Sequence, residues 1–147
     1  MSSVRPKWIV IALAALVPLA FAAFTQHAWE DYFITLRTSR NLVEGNGLVF
    51  TPGQRLHTFT SPLGVLVPAL CKAIAGSANE GLTLWLFRLI NAGLLAATAG
   101  LVWRRFDTLR VGAVGRFTFF GLLLADSKLM DFSMSSYTIT SQIYFLL

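Results

Sequence analysis

Two adjacent carboxylates and two arginines lie shortly after the first apolar segment of this 147-residue chain. Glu30 and Asp31 are neighbours, and Arg37 and Arg40 are about one helical turn apart. Carboxylates accept protons and guanidinium groups bind anions, so the stretch is either an ordinary solvated loop or a reaction centre held against a membrane. On residue type alone the first interpretation is the simpler one, because carboxylates in the first turn of a helix interact favourably with its macrodipole, by about 0.3–1 kcal/mol.

The composition indicates a membrane protein. Hydrophobic residues make up 55% of the chain and charged residues 13%, about half the charged share of a soluble domain. The net charge of +5 comes from basic residues scattered singly, which suits helix ends that face anionic lipid headgroups. Basic residues are not clustered with interleaved aromatic residues, which argues against nucleic-acid binding. The single cysteine, Cys71, excludes an intramolecular disulfide.

Hydropathy predicts an all-α, polytopic membrane protein with three to four hydrophobic helices. A first span is expected at 8–29, which is long enough to cross a bilayer and has a tryptophan at each end. The segment 61–76 is a short span or a re-entrant piece, 81–103 is a span, and 117–147 holds one or more incomplete spans. Arg88 lies inside the third segment, where an arginine must face protein or water, and it is therefore a functional candidate.

The charges leave the topology open. A retained signal-anchor at the first span places the basic N-terminus in the cytoplasm and residues 26–61 outside. A cleaved signal peptide is the alternative, because residues 20–22 read AFA, which resembles a cleavage site. Four arginines at 104–116 predict a cytoplasmic loop, yet three complete spans before them would put this loop outside. Either residues 61–76 do not cross fully or the charge rule is violated here.

The outer loop, residues 30–60, is predicted to contain an amphipathic helix that lies in the membrane interface. Helical spacing over 29–44 gives one apolar stripe and one polar face. The apolar stripe consists of Trp29, Phe33, Leu36 and Val43. The polar face consists of Arg37, Arg40 and Glu44.

Turn signals follow this helix. Gly45 stands where a helix stop is expected. The sequence GNG at 45–47 predicts a turn, LVF at 48–50 a short extended piece, and TPGQ at 51–54 a type II turn.

This loop resembles the first outer loop of the GT-C superfamily of integral-membrane glycosyltransferases, and in particular of its bacterial arabinofuranosyltransferase type. That loop reads approximately D-D-x-Y-I-x-x-R-x-x-x-N-L-x-x-G-x-G-L-V-F-N-P-G-E-x-V-E-x-Y-T-S-P-L, and here residues 30–63 read EDYFITLRTSRNLVEGNGLVFTPGQRLHTFTSPL. The matching residues are Asp31, Ile34, Arg37, Asn41, Leu42, Gly45, Gly47 to Phe50, Pro52, Gly53 and Thr60 to Leu63. Beyond Leu63 only the hydropathy agrees.

The resemblance implies a transferase in the bacterial inner membrane, with a polyprenyl-phosphate-linked sugar donor and an extracytoplasmic glycan or lipid acceptor. In such a transferase the acidic residue after the first span is the general base for an acceptor hydroxyl, or it helps to hold a divalent metal, Mg²⁺ or Mn²⁺, near the donor phosphate. Asp31 takes this position, with Glu30 as its support or as a second metal ligand. Basic residues near the interface bind the lipid phosphate, which implies Arg37 and Arg40, with Arg88 as a further candidate.

The chain departs from the family pattern at two acidic positions after the Pro-Gly turn, where Gln54 and His57 stand. His57 and Arg55 are further candidates for the site, although a lone histidine in a loop is more often neither a base nor a ligand. The departures put two of the family's acidic groups in doubt.

The apolar run at the end of the chain predicts that residues 1–147 are the N-terminal part of a longer GT-C-type transmembrane domain, whose site is incomplete in this chain alone. The alternative is a non-catalytic truncated or accessory membrane protein. A weaker third interpretation is a small transporter subunit that uses Arg88 and the charges Asp126, Lys128 and Asp131.

Overall fold

The computed structural model describes residues 6–54, 61–76 and 78–135. All regular structure in these ranges is α-helical, which confirms the predicted all-α class for this part of the chain. The six helices are α1 Pro6–Thr25, α2 Glu30–Val43, α3 Pro62–Ala75, α4 Glu80–Thr108, α5 Ala113–Ala125 and α6 Ser127–Ser135.

Two of these helices have the length and composition to cross a membrane. They are α1, with 20 residues, and α4, with 29. At 1.5 Å per residue, α1 is about 30 Å long, which matches the hydrocarbon core of a bilayer. The apolar helices α3 and α5 have only 14 and 13 residues, so each is shorter than a typical span. The described part therefore contains two long apolar helices and two short ones.

The long helices α1 and α4 pack antiparallel. Val10, near the start of α1, shares a core cluster with Trp103, near the end of α4. Ala22, near the end of α1, shares another cluster with Ala92, which precedes Trp103 by about three turns. Gly100 faces α1, because a Cβ atom on it would lie 3.4 Å from the Ile11 side chain, in ordinary van der Waals contact.

The antiparallel packing brings the basic residues to one end of the helix pair. Lys7 is in the first turn of α1, and Arg104 and Arg105 are in the last turns of α4, so all three lie at this end. Arg116 lies there too, because its guanidinium contacts Asp107 of α4. The arginine-rich loop thus returns to the side of the N-terminus, whereas the crossing of residues 61–76 and the orientation in the membrane stay predictions.

The helices α5 and α6 run in succession from the basic end to the opposite end. Phe120 of α5 stacks against Trp103, with ring centroids 6.2 Å apart, whereas Met134 of α6 packs in the cluster of Ala22. The break between them is at Asp126, whose carboxylate accepts hydrogen bonds from backbone N–H groups in the first turn of α6. The two helices together place α6 next to the start of α2.

The contact between α2 and α3 combines apolar and small polar side chains, since Tyr32 and Leu36 share a core cluster with Cys71 of α3. The buried residues of α2 are Tyr32, Thr35, Leu36, Thr38, Ser39 and Asn41. Within the stripe Leu36 is buried, but Phe33 and Val43 are exposed. The reason is that small hydroxyl side chains bond to backbone carbonyls and let helices approach closely: the Ser39 hydroxyl lies 2.8 Å from the Val65 carbonyl oxygen of α3. The larger apolar side chains of α2 are left on its outer face.

Candidate active site at the start and outer face of α2

The acidic pair occupies the first turn of α2, as the sequence predicts. Trp29 precedes it with extended backbone and gives no side-chain cap. Glu30 is exposed and Asp31 is half-buried. Within the described residues the Asp31 carboxylate makes no hydrogen bond and no ion pair. A partly shielded carboxylate whose oxygens are not engaged is suited to accept a proton from a hydroxyl.

Arg37 and Arg40 line a shallow pocket on the outer face of α2. The pocket has a volume of about 170 Å³, and its other lining residues are Phe33, Leu36 and Glu80. Glu80 is the first residue of α4, so the packing of α2, α3 and α4 brings it to α2 across 40 positions of sequence. The predicted polar face is therefore one wall of a pocket whose other wall belongs to α4.

The two arginines differ in their surroundings. The exposed Arg40 guanidinium lies 3.5 Å from the Glu80 carboxylate and 3.8 Å from that of Glu44, so it has two carboxylate partners. No carboxylate of the described residues lies within 4.0 Å of the Arg37 guanidinium, which instead lies over the Phe50 ring at 4.3 Å from the centroid. Stacking leaves the in-plane N–H groups of an arginine available for a phosphate. Arg37 is the better candidate of the two for an anionic ligand.

The end of α2 is shaped by a Schellman motif. The N–H of Gly45 donates to the carbonyl of Leu42 at 3.2 Å, and the N–H of Asn46 donates to that of Asn41 at 2.9 Å. Gly45 has φ +83°, a conformation that glycine adopts without a steric penalty. The predicted helix stop at Gly45 is confirmed, and the chain reverses over the outer face of α2.

Asn41 holds the reversed chain in place. This side chain is only 4% exposed, and its Nδ2 donates to the carbonyl oxygens of Val49 and Phe50 at 2.8 and 3.0 Å. These contacts bring the Phe50 ring to Arg37. Residues 48–50 belong to no strand, and the carbonyl groups of Val49 and Phe50 are bound by this amide side chain; the extended conformation of the segment stays a prediction.

The predicted type II turn is confirmed at Thr51 to Gln54. The N–H of Gln54 donates to the carbonyl of Thr51 at 3.1 Å, and Gly53 has φ +84° at the third position. Arg55 and His57, the two further candidates of the sequence, lie outside the described residues.

Arg88 is completely buried, with 0% of its surface exposed. Its Nη2 donates to the His27 carbonyl oxygen at 2.7 Å, and its guanidinium lies 4.9 Å from the centre of the Trp85 ring. It does not line the pocket of Arg37 and Arg40. Its contact with a lipid phosphate stays a prediction, and the structure places it against the segment that joins α1 to α2.

Tyr32 lies on the buried side of the first turn of α2. It is buried in a cluster with Cys71 of α3 and Phe87 of α4. Burial raises the pKa of the Tyr32 phenol above its ordinary value, because the charged form would lose its hydration. Tyr32 therefore stays protonated at working pH and does not compete with Asp31 for the role of base.

Metal ligands are sparse in the described part of the chain. In residues 6–54, 61–76 and 78–135 no group of three or more histidine, cysteine, aspartate or glutamate side chains lies close enough to hold a metal. A divalent metal at Glu30 and Asp31 stays a prediction; Mg²⁺ can bind through one or two carboxylates together with phosphate oxygens and waters.

Two residues of this region, Glu80 and His27, escaped the sequence analysis, and Asp131 was considered only as part of a transporter site. His27 and Asp131 lie 104 positions apart, and Nδ1 of His27 is 3.0 Å from the Asp131 carboxylate. Helical spacing relates residues within one helix only, so the sequence contained no signal for pairs that join different helices.

The chain is similar to a curated glycosyltransferase. It is 34% identical over 124 residues to the "Terminal beta-(1->2)-arabinofuranosyltransferase" of Corynebacterium glutamicum. The match covers 77% of this chain, and the chain spans 18% of the length of that relative. No protein-family model matches the chain. No solved structure is significantly similar to it. The similarity and the two long apolar helices together support a membrane protein related to glycosyltransferases.

Proposed function

We propose that the protein containing this chain is a GT-C-type membrane glycosyltransferase, which transfers a sugar from a polyprenyl-phosphate-linked donor to an extracytoplasmic glycan or lipid acceptor. The observation that carries the proposal is the placement on one helix of an unengaged carboxylate, Asp31, and an arginine without a carboxylate partner, Arg37. The similarity to an arabinofuranosyltransferase adds a pentofuranose as the first sugar to test.

The proposed reaction gives each side chain one task. Asp31 takes the proton of the acceptor hydroxyl as the oxygen attacks the anomeric carbon of the donor. The bond between that carbon and the phosphate oxygen breaks, and the lipid phosphate leaves with the electron pair. Arg37 binds the phosphate oxygens as negative charge builds up on them, with Arg40 beside it. In the alternative role of Asp31, the carboxylates of Glu30 and Asp31 would hold a divalent metal, which would neutralise part of this charge when bound.

The proposed orientation follows from the two ends of the helix pair. The basic end, with Lys7 and the arginine-rich loop, lies in the cytoplasm of a bacterium according to the positive-inside rule. The start of α2 then lies at the outer face of the inner membrane. Phe33, Ile34 and Val43, which are exposed on α2, face the lipid interface, where a polyprenyl phosphate presents its headgroup.

Asp31→Asn tests the proposal in the protein as its gene encodes it. Membrane vesicles are supplied with a polyprenyl-phosphate arabinofuranose donor and a glycan acceptor, and the transferred sugar is measured. We expect the variant to lose transfer by about 100-fold or more, the usual contribution of a general base, with normal membrane insertion.

Asp126→Asn is the matched control. It makes the same carboxylate-to-amide change at the cap of α6, where an asparagine oxygen still accepts the capping hydrogen bonds. This variant should transfer sugar at the wild-type rate. Wild-type activity in Asp31→Asn would rule out Asp31 as the base. No transfer by the wild-type protein with any polyprenyl-phosphate sugar would favour the alternative, a non-catalytic accessory membrane protein.

A further inference from the structure

The segment that joins α1 to α2, residues 26–29, has little regular structure of its own and directly precedes the acidic pair. Gln26 has φ +52°, a left-handed conformation that a residue other than glycine rarely adopts. Gln26 directly follows the last residue of α1, and its N–H donates to the Ala22 carbonyl at 3.0 Å, so this conformation belongs to the end of α1. The residues that follow it, His27 and Trp29, are contacted by two other helices.

The first contact comes from α4. Arg88 is buried and donates through Nη2 to the carbonyl of His27 at 2.7 Å, while its Nε and Nη1 have no hydrogen-bond partner among the described residues. A neutral carbonyl repays little of the hydration that a buried guanidinium loses. The Asp131 carboxylate is near enough to act electrostatically on Arg88. A buried arginine with this single hydrogen bond lowers the free energy of unfolding, so we look for its role in the position that it gives to His27.

The second contact comes from α6. Both carboxylate oxygens of Asp131 lie 3.0 Å from Nδ1 of His27, and the Phe132 ring packs against Trp29 with centroids 5.1 Å apart. The ring of Trp29 also meets that of His27 edge to face, at 5.8 Å. Consecutive residues of α6 therefore contact His27 and Trp29, the residues that lead into α2.

We propose that Arg88 and Asp131 are positioning residues that hold residues 26–29 and, through them, the Asp31 carboxylate. Asp31 is only two residues beyond Trp29, so the direction of the first turn of α2 depends on how these residues are held. The rest of α2 is held separately, by the contact of Ser39 with α3. We call the contacts of Arg88 and Asp131 with His27 the clamp. Loss of the clamp changes the conformation of the first turn of α2, while the rest of the helix stays packed on α3.

This role has a kinetic consequence, which rests on the proposed glycosyltransferase function. A base displaced by about 1 Å costs about 100-fold in rate. The pocket of Arg37 lies on a later turn of α2, so donor binding is retained. The positioning role therefore predicts a lower kcat with an unchanged KM for the donor.

Hydrogen exchange tests the clamp without any assay of activity. The protein as its gene encodes it is placed in lipid nanodiscs, and exchange is followed at the amides of residues 27–32, including that of Tyr32, which donates to the Trp29 carbonyl at 3.0 Å. Asp131→Ala should raise exchange there by about tenfold or more. Asp131→Asn keeps an oxygen that accepts from Nδ1 of His27 and should stay close to the wild type. Lys128→Gln, an exposed change on the same helix, is the control.

The same variants are assayed for sugar transfer. Asp131→Ala should lower kcat by about 10- to 100-fold, Asp131→Asn should restore most of it, and the donor KM should stay within twofold in both. Unchanged exchange in Asp131→Ala overturns the clamp. Faster exchange with wild-type kcat overturns the positioning role. If the wild-type protein transfers no sugar, the proposed function fails, and the exchange experiment still decides whether the clamp exists.

Discussion

Asn41 is the residue whose replacement tests most directly how the chain after α2 is held. It is buried, and its amide donates to the carbonyl oxygens of Val49 and Phe50 at 2.8 and 3.0 Å. Asn41→Ala removes both hydrogen bonds and leaves two partly buried carbonyl groups without a protein partner. Each bond contributes about 0.5–1.5 kcal/mol, so the loop should lose about 2 kcal/mol of local stability.

The expected result is a change confined to one segment. A loss of about 2 kcal/mol corresponds to roughly 30-fold faster amide exchange, since each 1.4 kcal/mol is a factor of ten. The affected amides are those of residues 46–50, measured by hydrogen exchange in nanodiscs. The amides in the middle of α2, which the contact with α3 holds, should exchange as before. Because Phe50 then leaves Arg37, the affinity for a polyprenyl phosphate should also change.

Asn46→Ala is the matched control for this experiment. Asn46 is exposed and lies in the same turn, and its hydrogen bond to Asn41 uses the backbone N–H, which alanine retains. The control should alter exchange by less than about threefold, the size of a typical surface substitution. Equal exchange in the two variants would refute the conclusion that the Asn41 side chain holds the loop.

Two further predictions concern backbone conformation and a buried phenol. Gly45→Ala forces an L-residue to φ +83° and should destabilise the end of α2 by about 1 kcal/mol. The control is Gly93→Ala in α4, which has open space at its Cβ position and should be neutral or stabilising. Equal effects of the two variants on thermal unfolding in detergent would contradict this prediction. Tyr32→Phe should change stability at neutral pH by less than about 1 kcal/mol, because the hydroxyl has no hydrogen-bond partner in the described part. Burial raises the Tyr32 pKa above 10.0, so the wild type loses stability as pH rises beyond 10, by up to about 1.4 kcal/mol per pH unit. The phenylalanine variant should lack this pH-dependent loss when unfolding is measured from pH 9 to 12.

Local sequence signals predicted local structure well. The helix stop at Gly45 and the type II turn around Gly53 are confirmed, because glycine adopts a positive φ without a steric penalty and Pro52 fixes φ at the position before Gly53. The acidic pair was expected in the first turn of a helix and is found there, at Glu30 and Asp31. In each case the local conformation is determined by interactions between residues that are close in the sequence.

The packing of α2 against its neighbours was not predicted. The apolar stripe was expected in the membrane interface, which stays a prediction; of its residues Leu36 is buried in the protein, whereas Phe33 and Val43 are exposed. In a membrane protein an apolar side chain can face either lipid or protein, so hydropathy does not identify the buried side of a helix. The small hydroxyl residues that do pack against α3 look like ordinary surface residues in the sequence.

The sequence by itself determined that the described part is built of helices, where the turns after α2 fall, and that carboxylates and arginines share one short helix. The predicted bounds differ from the structure, because α1 ends at Thr25 and not at residue 29, and the predicted loop 104–116 contains the end of α4 and the start of α5. Only the tertiary structure decided the partners of the arginines: Arg40 lies near Glu80, Arg88 donates to the carbonyl of His27, and Arg37 lies over the Phe50 ring. The physical reason is that these partners come from other segments of the chain, and the energy of an ion pair or hydrogen bond depends on ångström distances that only tertiary packing sets.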